Sequence, residues 1–157
     1  MFHIFDKNQK IIKNILEEFF SKATLEVQVK NIQEEGNIFR VDLETDSPQL
    51  LIGEQGQTLN ELQYILKLII RRQITEQFFL DIDIDHYKEK KQAYLQEMAC
   101  SAADEVALSG KEKELSPMTA SDRRSVHMAL AGRADIVTES RDQEPNRKVI
   151  IKPRLQI

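Results

Sequence analysis

The spacing of apolar residues changes several times along the chain, and each change marks an element. Ile11, Ile12, Ile15, Leu16, Phe19 and Phe20 recur at intervals of three and four, which predicts an amphipathic helix from about Asn8 to Lys22. The interval then falls to two. Leu25, Val27 and Val29 alternate with polar residues, Gly36-Asn37 marks a turn, and Phe39, Val41 and Leu43 alternate again, the pattern of an antiparallel hairpin with one buried face. Ser47-Pro48 reads as a helix start, a hydroxyl at the N-cap followed by proline at the first helical position, where its missing N–H costs nothing. That short helix runs into Gly53-Glu54-Gln55-Gly56. Beyond it Leu59, Leu62, Ile65, Leu66, Ile69 and Ile70 share one face of a longer helix ending near Arg72. Phe78, Leu80, Ile82 and Ile84 then alternate with Phe79, Asp81, Asp83 and Asp85, giving a third strand with an acidic outer face.

From Tyr87 the helical interval returns, with Leu95, Met98, Ala99, Ala102 and Val106 on one face, Cys100 expected to be buried and Gly110 placed to end the helix. Lys111 to Leu115 suits a short edge strand. Thr119 with Asp122 three residues on resembles a capping box and opens a helix that runs to Leu130, with Gly132 to stop it. Alternating segments over 135–140 and 147–152, joined by a polar loop containing Glu144-Pro145-Asn146, predict a second hairpin. The fold class is therefore α+β in two small domains, residues 1–86 and 87–157, which fits a chain of 157 residues.

Composition narrows the function. The hydrophobic content of 41% supports a packed core, and no apolar run approaches the length of a membrane span. Cys100 is the only cysteine, so there is no internal disulfide and no cysteine-based zinc site, as expected of a reducing cytosol; the start of the chain lacks the pattern of a signal peptide, and a cytoplasmic location is expected. The net charge of −4 is unevenly divided: residues 1–86 carry 9 Lys and Arg against 15 Asp and Glu, and residues 87–157 carry 13 against 11. Any electrostatic grip on phosphate is therefore expected after residue 86.

Three stretches could carry chemistry. Asp81-x-Asp83-x-Asp85 has the alternate acidic spacing that opens a calcium loop, but His86 stands where the loop needs glycine and Gln92 where it needs glutamate, so no metal site is assigned. Gly53 and Gly56 let another backbone come close, and the following helix points its free N–H groups at the same place, a geometry suited to a sugar-phosphate chain; between them Glu54 repels phosphate and Gln55 is neutral. Arg123 and His127 are four apart and share a helical face, with Arg124 beside them. Arginine offers a planar donor fork that grips phosphate with two hydrogen bonds, and histidine can donate to phosphate or stack on a base. Lys148, Lys152 and Arg154 would add positive charge, with Glu139 and Asp142 opposing it. Arg123 and His127 are expected to act on a ligand and not on the fold, and Gly56 to lie where nucleic acid approaches.

The order helix-strand-strand-helix-helix-strand, with the Ile52-Gly53-x-x-Gly56 turn and the leucine-rich helix carrying Gln63-Tyr64, resembles the bacterial K-homology (KH) domain, whose G-x-x-G loop clamps backbone nucleotides. Pro117-Met118, Arg123-Arg124-x-Val126-His127-Met128-Ala129-Leu130 and Val149-Ile150-Ile151-Lys152-Pro153 closely resemble the single-strand-binding R-three-H domain over roughly Tyr87 to Pro153. In this order the two are similar to the bacterial Jag family, also called KhpB or SpoIIIJ-associated protein. The resemblance departs in two places. The family's extra amino-terminal domain and charged linker have no counterpart ahead of the first helix, and Thr119-Ala120 stands where the family often has Asn-Pro, keeping the cap and losing the proline.

The resemblance implies a two-module RNA-binding protein in post-transcriptional regulation, linked to cell-envelope growth and division. Its expected RNA-binding residues are Gly53, Glu54, Gln55, Gly56, Arg123, Arg124, His127, Lys148 and Lys152, with no cofactor, metal or catalytic residue. The implied partners are single-stranded RNA, single-stranded DNA as a competing ligand, and a small stand-alone KH protein or a second copy of the chain. One alternative is a scaffold whose acidic first half docks or dimerises and no longer binds RNA, as Glu54 would favour. Another is a nuclease with His127 as general base, which lacks the paired carboxylates, metal ligands or activated nucleophile that hydrolysis needs.

Overall fold

A computed structural model describes the backbone of residues 2–154 and the side chains of residues 7–154. The chain divides into two compact units, Met1–Lys88 and Glu89–Ile157. The first contains α1 (Phe2–Lys22), β1 (Val27–Glu35), β2 (Ile38–Thr45), α2 (Pro48–Ile52), a 3-10 turn (Glu54–Gly56), α3 (Gln57–Ile70) and β3 (Phe79–Ile84). The sheet order is β1-β2-β3, with β1 and β2 antiparallel and β2 and β3 parallel. A parallel pair cannot be joined by a tight turn, so the residues between β2 and β3 must cross over the sheet; α2, the glycine turn and α3 make that crossing. Val41 opposite Ile82 and Leu43 opposite Ile84 fix the register, and all four are buried together with Ile12, Leu16 and Phe20 of α1 and Leu66 and Ile70 of α3. At the β3 edge the Ile82 amide donates to Gln63 Oε1 of α3 at 2.9 Å, so the helix supplies a partner that no strand provides.

The second unit contains most of α4 (Tyr87–Ser109), whose first turn carries the division, then β4 (Lys113–Glu114), α5 (Ala120–Leu130), β5 (Ile136–Arg141) and β6 (Lys148–Pro153). The sheet order is β4-β6-β5, antiparallel throughout. β6 is central, and Val149, Ile150 and Ile151 are all buried. Val149 and Ile151 face the core formed with Leu95, Ala99, Ala102, Ala103 and Val106 of α4 and Val126 and Leu130 of α5. By the two-residue period of a strand, Ile150 faces the other way.

Several sequence expectations need correction. Ile65 is not on the buried face of α3; it is 47% exposed, beside Tyr64 at 65% and Leu68 at 48%. Ser47 precedes α2 with proline at the first position, but its hydroxyl makes no capping bond. Cys100 is half-buried at the margin of the second core.

Candidate nucleic-acid interface

α5 starts where the sequence places it. Thr119 is extended at the N-cap, and its side chain accepts from the Asp122 amide at 3.3 Å. The Asp122 carboxylate turns instead to Lys91 of α4, pairing at 2.8 Å while 7% exposed as a residue. Val126 and Leu130 bury the core side of α5, and one edge of the helix is left for Arg123 and His127.

Arg123 is 6% exposed. Its Nη1 donates to the Met118 carbonyl at 2.7 Å and its Nη2 pairs with Glu144 Oε1 at 2.8 Å, so one end of the fork ties α5 to the segment before it and the other to the β5–β6 loop. A guanidinium so placed has a structural task, contrary to the expectation that Arg123 leaves the fold alone. His127 lies between two hydroxyls of β5, with Nδ1 2.7 Å from Thr138 Oγ1 and Nε2 3.0 Å from Ser140 Oγ. A neutral imidazole has one donor and one acceptor, and hydroxyls can complement both. Burial, and then the positive charge of Arg123, push the His127 pKa down, favouring that neutral form.

Beside His127 lies a shallow cavity of about 550 Å³, wide open to solvent and lined by Ala120, Arg123, Arg124, His127, Met128, Ala131, Ser140 and Arg147. It brings together three residues expected from the sequence, Arg123, Arg124 and His127. It leaves out the other two expected in the second unit, Lys148 and Lys152. Thr138 stands opposite Ile151 and Ser140 opposite Val149, so the residues that hold His127 share the core-facing side of the sheet. Lys148 and Lys152 have the opposite parity and project with Ile150. There Lys148 pairs with Glu114 at 2.7 Å and Asp142 at 3.4 Å, Lys152 pairs with Glu139 at 2.6 Å, and Arg141 pairs with Glu139 at 2.8 Å. The hydrogen bonds from Lys152 and Arg141 hold the Glu139 pKa low, and the bond to Glu114 raises that of Lys148. These ion pairs form a network across the face away from His127.

Sequence reasoning missed Ala120, Met128, Ala131, Ser140 and Arg147. The first three were discoverable: Ala120, Arg124, Met128 and Ala131 follow intervals of four, four and three, a helical stripe next to the Arg123–His127 edge. Ser140 carried the weaker signal of lying two residues after Thr138 on one strand face. Arg147 had no local signal, because its place in the cavity depends on the hairpin register.

The G-x-x-G loop is built differently. Gly53 has φ 70° and ψ −174°, Gln55 has φ 53° and Gly56 has φ 86°, so the chain passes three times through the left-handed half of backbone space. Glu54 and Gln55 are exposed at its tip, and Gly56 is buried. No side chain caps α3, but its first amide, that of Gln57, already donates to the Glu54 carbonyl, so only amides further into the first turn could meet a ligand. The glycines, however, also make room for the protein itself. A Cβ on Gly53 would fall on the Thr58 side chain, and a Cβ on Gly56 would lie 3.0 Å from the Tyr87 ring. The space beside Gly56 is occupied by Tyr87, which corrects the expectation that it is kept for nucleic acid.

Residues 9–82 match the KhpA/KhpB KH domain, and residues 93–153 match the R3H domain. The chain is similar to an RNA-binding protein KhpB of Clostridium symbiosum, 30% identical over 146 residues that make up 93% of this chain and 64% of that protein. It is also similar to an RNA-binding protein KhpB of Bacillus subtilis, 32% identical over 122 residues covering 76% and 59%, and to one of Lactiplantibacillus plantarum, 32% identical over 114 residues covering 73% and 35%. The chain thus spans less than two thirds of the length of each of these relatives.

Proposed function

The chain belongs to the KhpB (Jag) family, a KH domain followed by an R3H domain, and from that premise we propose that it is an RNA-binding protein that takes single-stranded RNA. The observation that carries this reading is the cavity beside α5, where Arg124, His127 and Arg147 stand with the apolar side chains of Ala120, Met128 and Ala131. Cations with an adjoining apolar surface suit a phosphate followed by an unstacked base, which a duplex does not offer. The KH module is assigned to residues 1–86, with the Gly53–Gly56 loop as a second, weaker contact opposed by Glu54, and the R3H module to residues 87–157. Family resemblance supports a role in post-transcriptional regulation linked to envelope growth and division, in the cytoplasm. Among the described residues no helix is long and apolar enough to cross a membrane.

A gel-shift experiment with labelled single-stranded RNA, a chelator present and the RNA recovered afterwards, tests this. Retarded and intact RNA is expected, with log K falling against log salt at a slope of roughly −2 to −4 if about three to five phosphates are neutralised at about 0.7 each. Shortened RNA would make the protein a nuclease, and a flat salt response would remove the electrostatic basis of the reading. Single-stranded DNA added as competitor measures how far the sugar matters.

One observation favours a second role for the first domain. Tyr64, Ile65 and Leu68 form an exposed apolar strip along α3, spaced one and three residues apart on one side of the helix. That strip suits docking to another KH chain or a second copy, which sedimentation of wild-type and Ile65→Lys proteins would test.

A further inference from the structure

The R3H motif is named for Arg123 and His127, yet the structure leaves neither as the most available group for a phosphate. Arg123 already holds an anion, since the Glu144 carboxylate sits 2.8 Å from Nη2 and is itself 60% exposed. Its other terminal nitrogen is committed to the Met118 carbonyl. A phosphate reaching Arg123 must displace that carboxylate or lie beside it, and like charges so close are costly. His127 has both nitrogens against hydroxyls and is held toward its neutral form.

Arg124 and Arg147 line the same cavity, both are exposed, and among the described residues neither has an ion pair or side-chain hydrogen bond. They come from separate elements that are each well anchored. Arg124 follows Arg123 on α5. Arg147 stands where β6 begins; its carbonyl accepts from the Met118 amide at 3.2 Å, and the next residue is in register with Arg141. The Met118 segment therefore receives the side chain of Arg123 through its carbonyl and is bound to the backbone of Arg147 through its amide.

Resting on the RNA-binding reading above, we infer that Arg124 and Arg147 together hold a backbone phosphate of the bound strand, and that Arg123 is a positioning residue which ties α5 to the Glu144–Arg147 loop and so keeps both arginines in the lining of one open cavity. Ala120, Met128 and Ala131 flank them, and Met128 is 66% exposed, so the nucleoside next to the held phosphate lies against an apolar wall. Two guanidinium groups are a phosphate site of ordinary chemistry, each able to give two parallel N–H bonds. Glu144 keeps phosphate off Arg123 and leaves it to the outer pair.

The test compares Arg124→Ala, Arg147→Ala, Arg123→Ala, Arg123→Lys and the control Lys152→Ala in binding of a short labelled oligouridylate at several salt concentrations, with thermal unfolding measured for each. Arg147→Ala and Arg124→Ala are each expected to weaken binding roughly tenfold. Removing both together should reduce the salt slope by about 0.7, the contribution of one phosphate on a single strand, with the unfolding midpoint unchanged in each single variant. Arg123→Ala should lower the midpoint, and Arg123→Lys should recover part of both the midpoint and the binding while keeping the full salt slope. If wild-type protein binds but Arg147→Ala and Arg124→Ala bind as tightly with the same slope, the inference is overturned and the RNA-binding reading stands. If wild-type protein shows no salt-dependent binding at all, the reading itself has failed.

Discussion

The two glycines of the first domain and Arg124 with Arg147 of the second are different answers to the same problem of approaching a phosphate chain. At Gly53–Gly56 the donors would be backbone N–H groups at the start of α3, and the exposed side chains between the glycines are Glu54 and Gln55. In the cavity beside α5 the donors are guanidinium groups, held apart from the carboxylates that neutralise Lys148 and Lys152 on the other side of the sheet. Net charge hides this difference, because nearly balanced charges in the second unit are sorted by strand parity onto opposite faces. What matters for a ligand is which cations remain unpaired, and where.

The largest effect expected from breaking this arrangement is on the fold. Arg123→Ala removes a buried guanidinium and leaves the Met118 carbonyl without its donor, so chemical denaturation should show a loss of about 2–3 kcal/mol, the upper part of the range for an orphaned buried polar group. An unchanged denaturation midpoint would mean that Glu144 and Met118 find other partners. Next comes Gly56→Ala, which adds a Cβ at φ 86° and against Tyr87 and should cost about 1–2 kcal/mol from the left-handed conformation alone. The same variant made with Tyr87→Ala tells the two causes apart, since relief of the clash should restore only the part due to Tyr87.

A smaller change, in affinity, sharpens the contrast between the loops. Glu54→Lys turns a repulsion into an attraction and should tighten RNA binding by about 1 kcal/mol at low salt, shrinking as salt rises, if the G-x-x-G loop touches the strand. No change would leave the first domain as a docking surface. The smallest effect is on pH dependence. The pKa of His127 is pushed below the ordinary value near 6.5, so the folded protein binds this proton less readily than the unfolded chain does. The stability it contributes is therefore complete above pH 6.5 and lost as pH falls through the folded-state value. Thermal unfolding between neutral and mildly acidic pH should show this slope in wild type and less of it in His127→Gln.

The fold was legible because the apolar intervals are clear over residues 11–20 of α1, in β2 and β3, and over residues 95–106 of α4, where one period holds. They mislead in α3, where Leu62, Ile65, Leu66, Leu68, Ile69 and Ile70 put apolar residues on more than half the circumference; which of them is buried depends on the sheet, and Ile65 falls outside. A similar excess hid the split of the candidate site. Val149, Ile150 and Ile151 are all apolar, so β6 shows no alternation, and the face taken by Lys148 and Lys152 could not be read without the register against β5. The partners of Arg123 and Gly56 were out of reach for a simpler reason. Glu144 and Tyr87 are far along the chain, and only the folded structure brings them there.

The central claim is that the strand is held chiefly by α5 and the β5–β6 loop. Its most direct test is to follow backbone amide signals by NMR while single-stranded RNA is added to the intact protein. The account predicts that the largest shifts fall within 120–131 and 140–147, with smaller ones at 53–59 and none at Lys152. Shifts concentrated at 53–59 with α5 unmoved would contradict it.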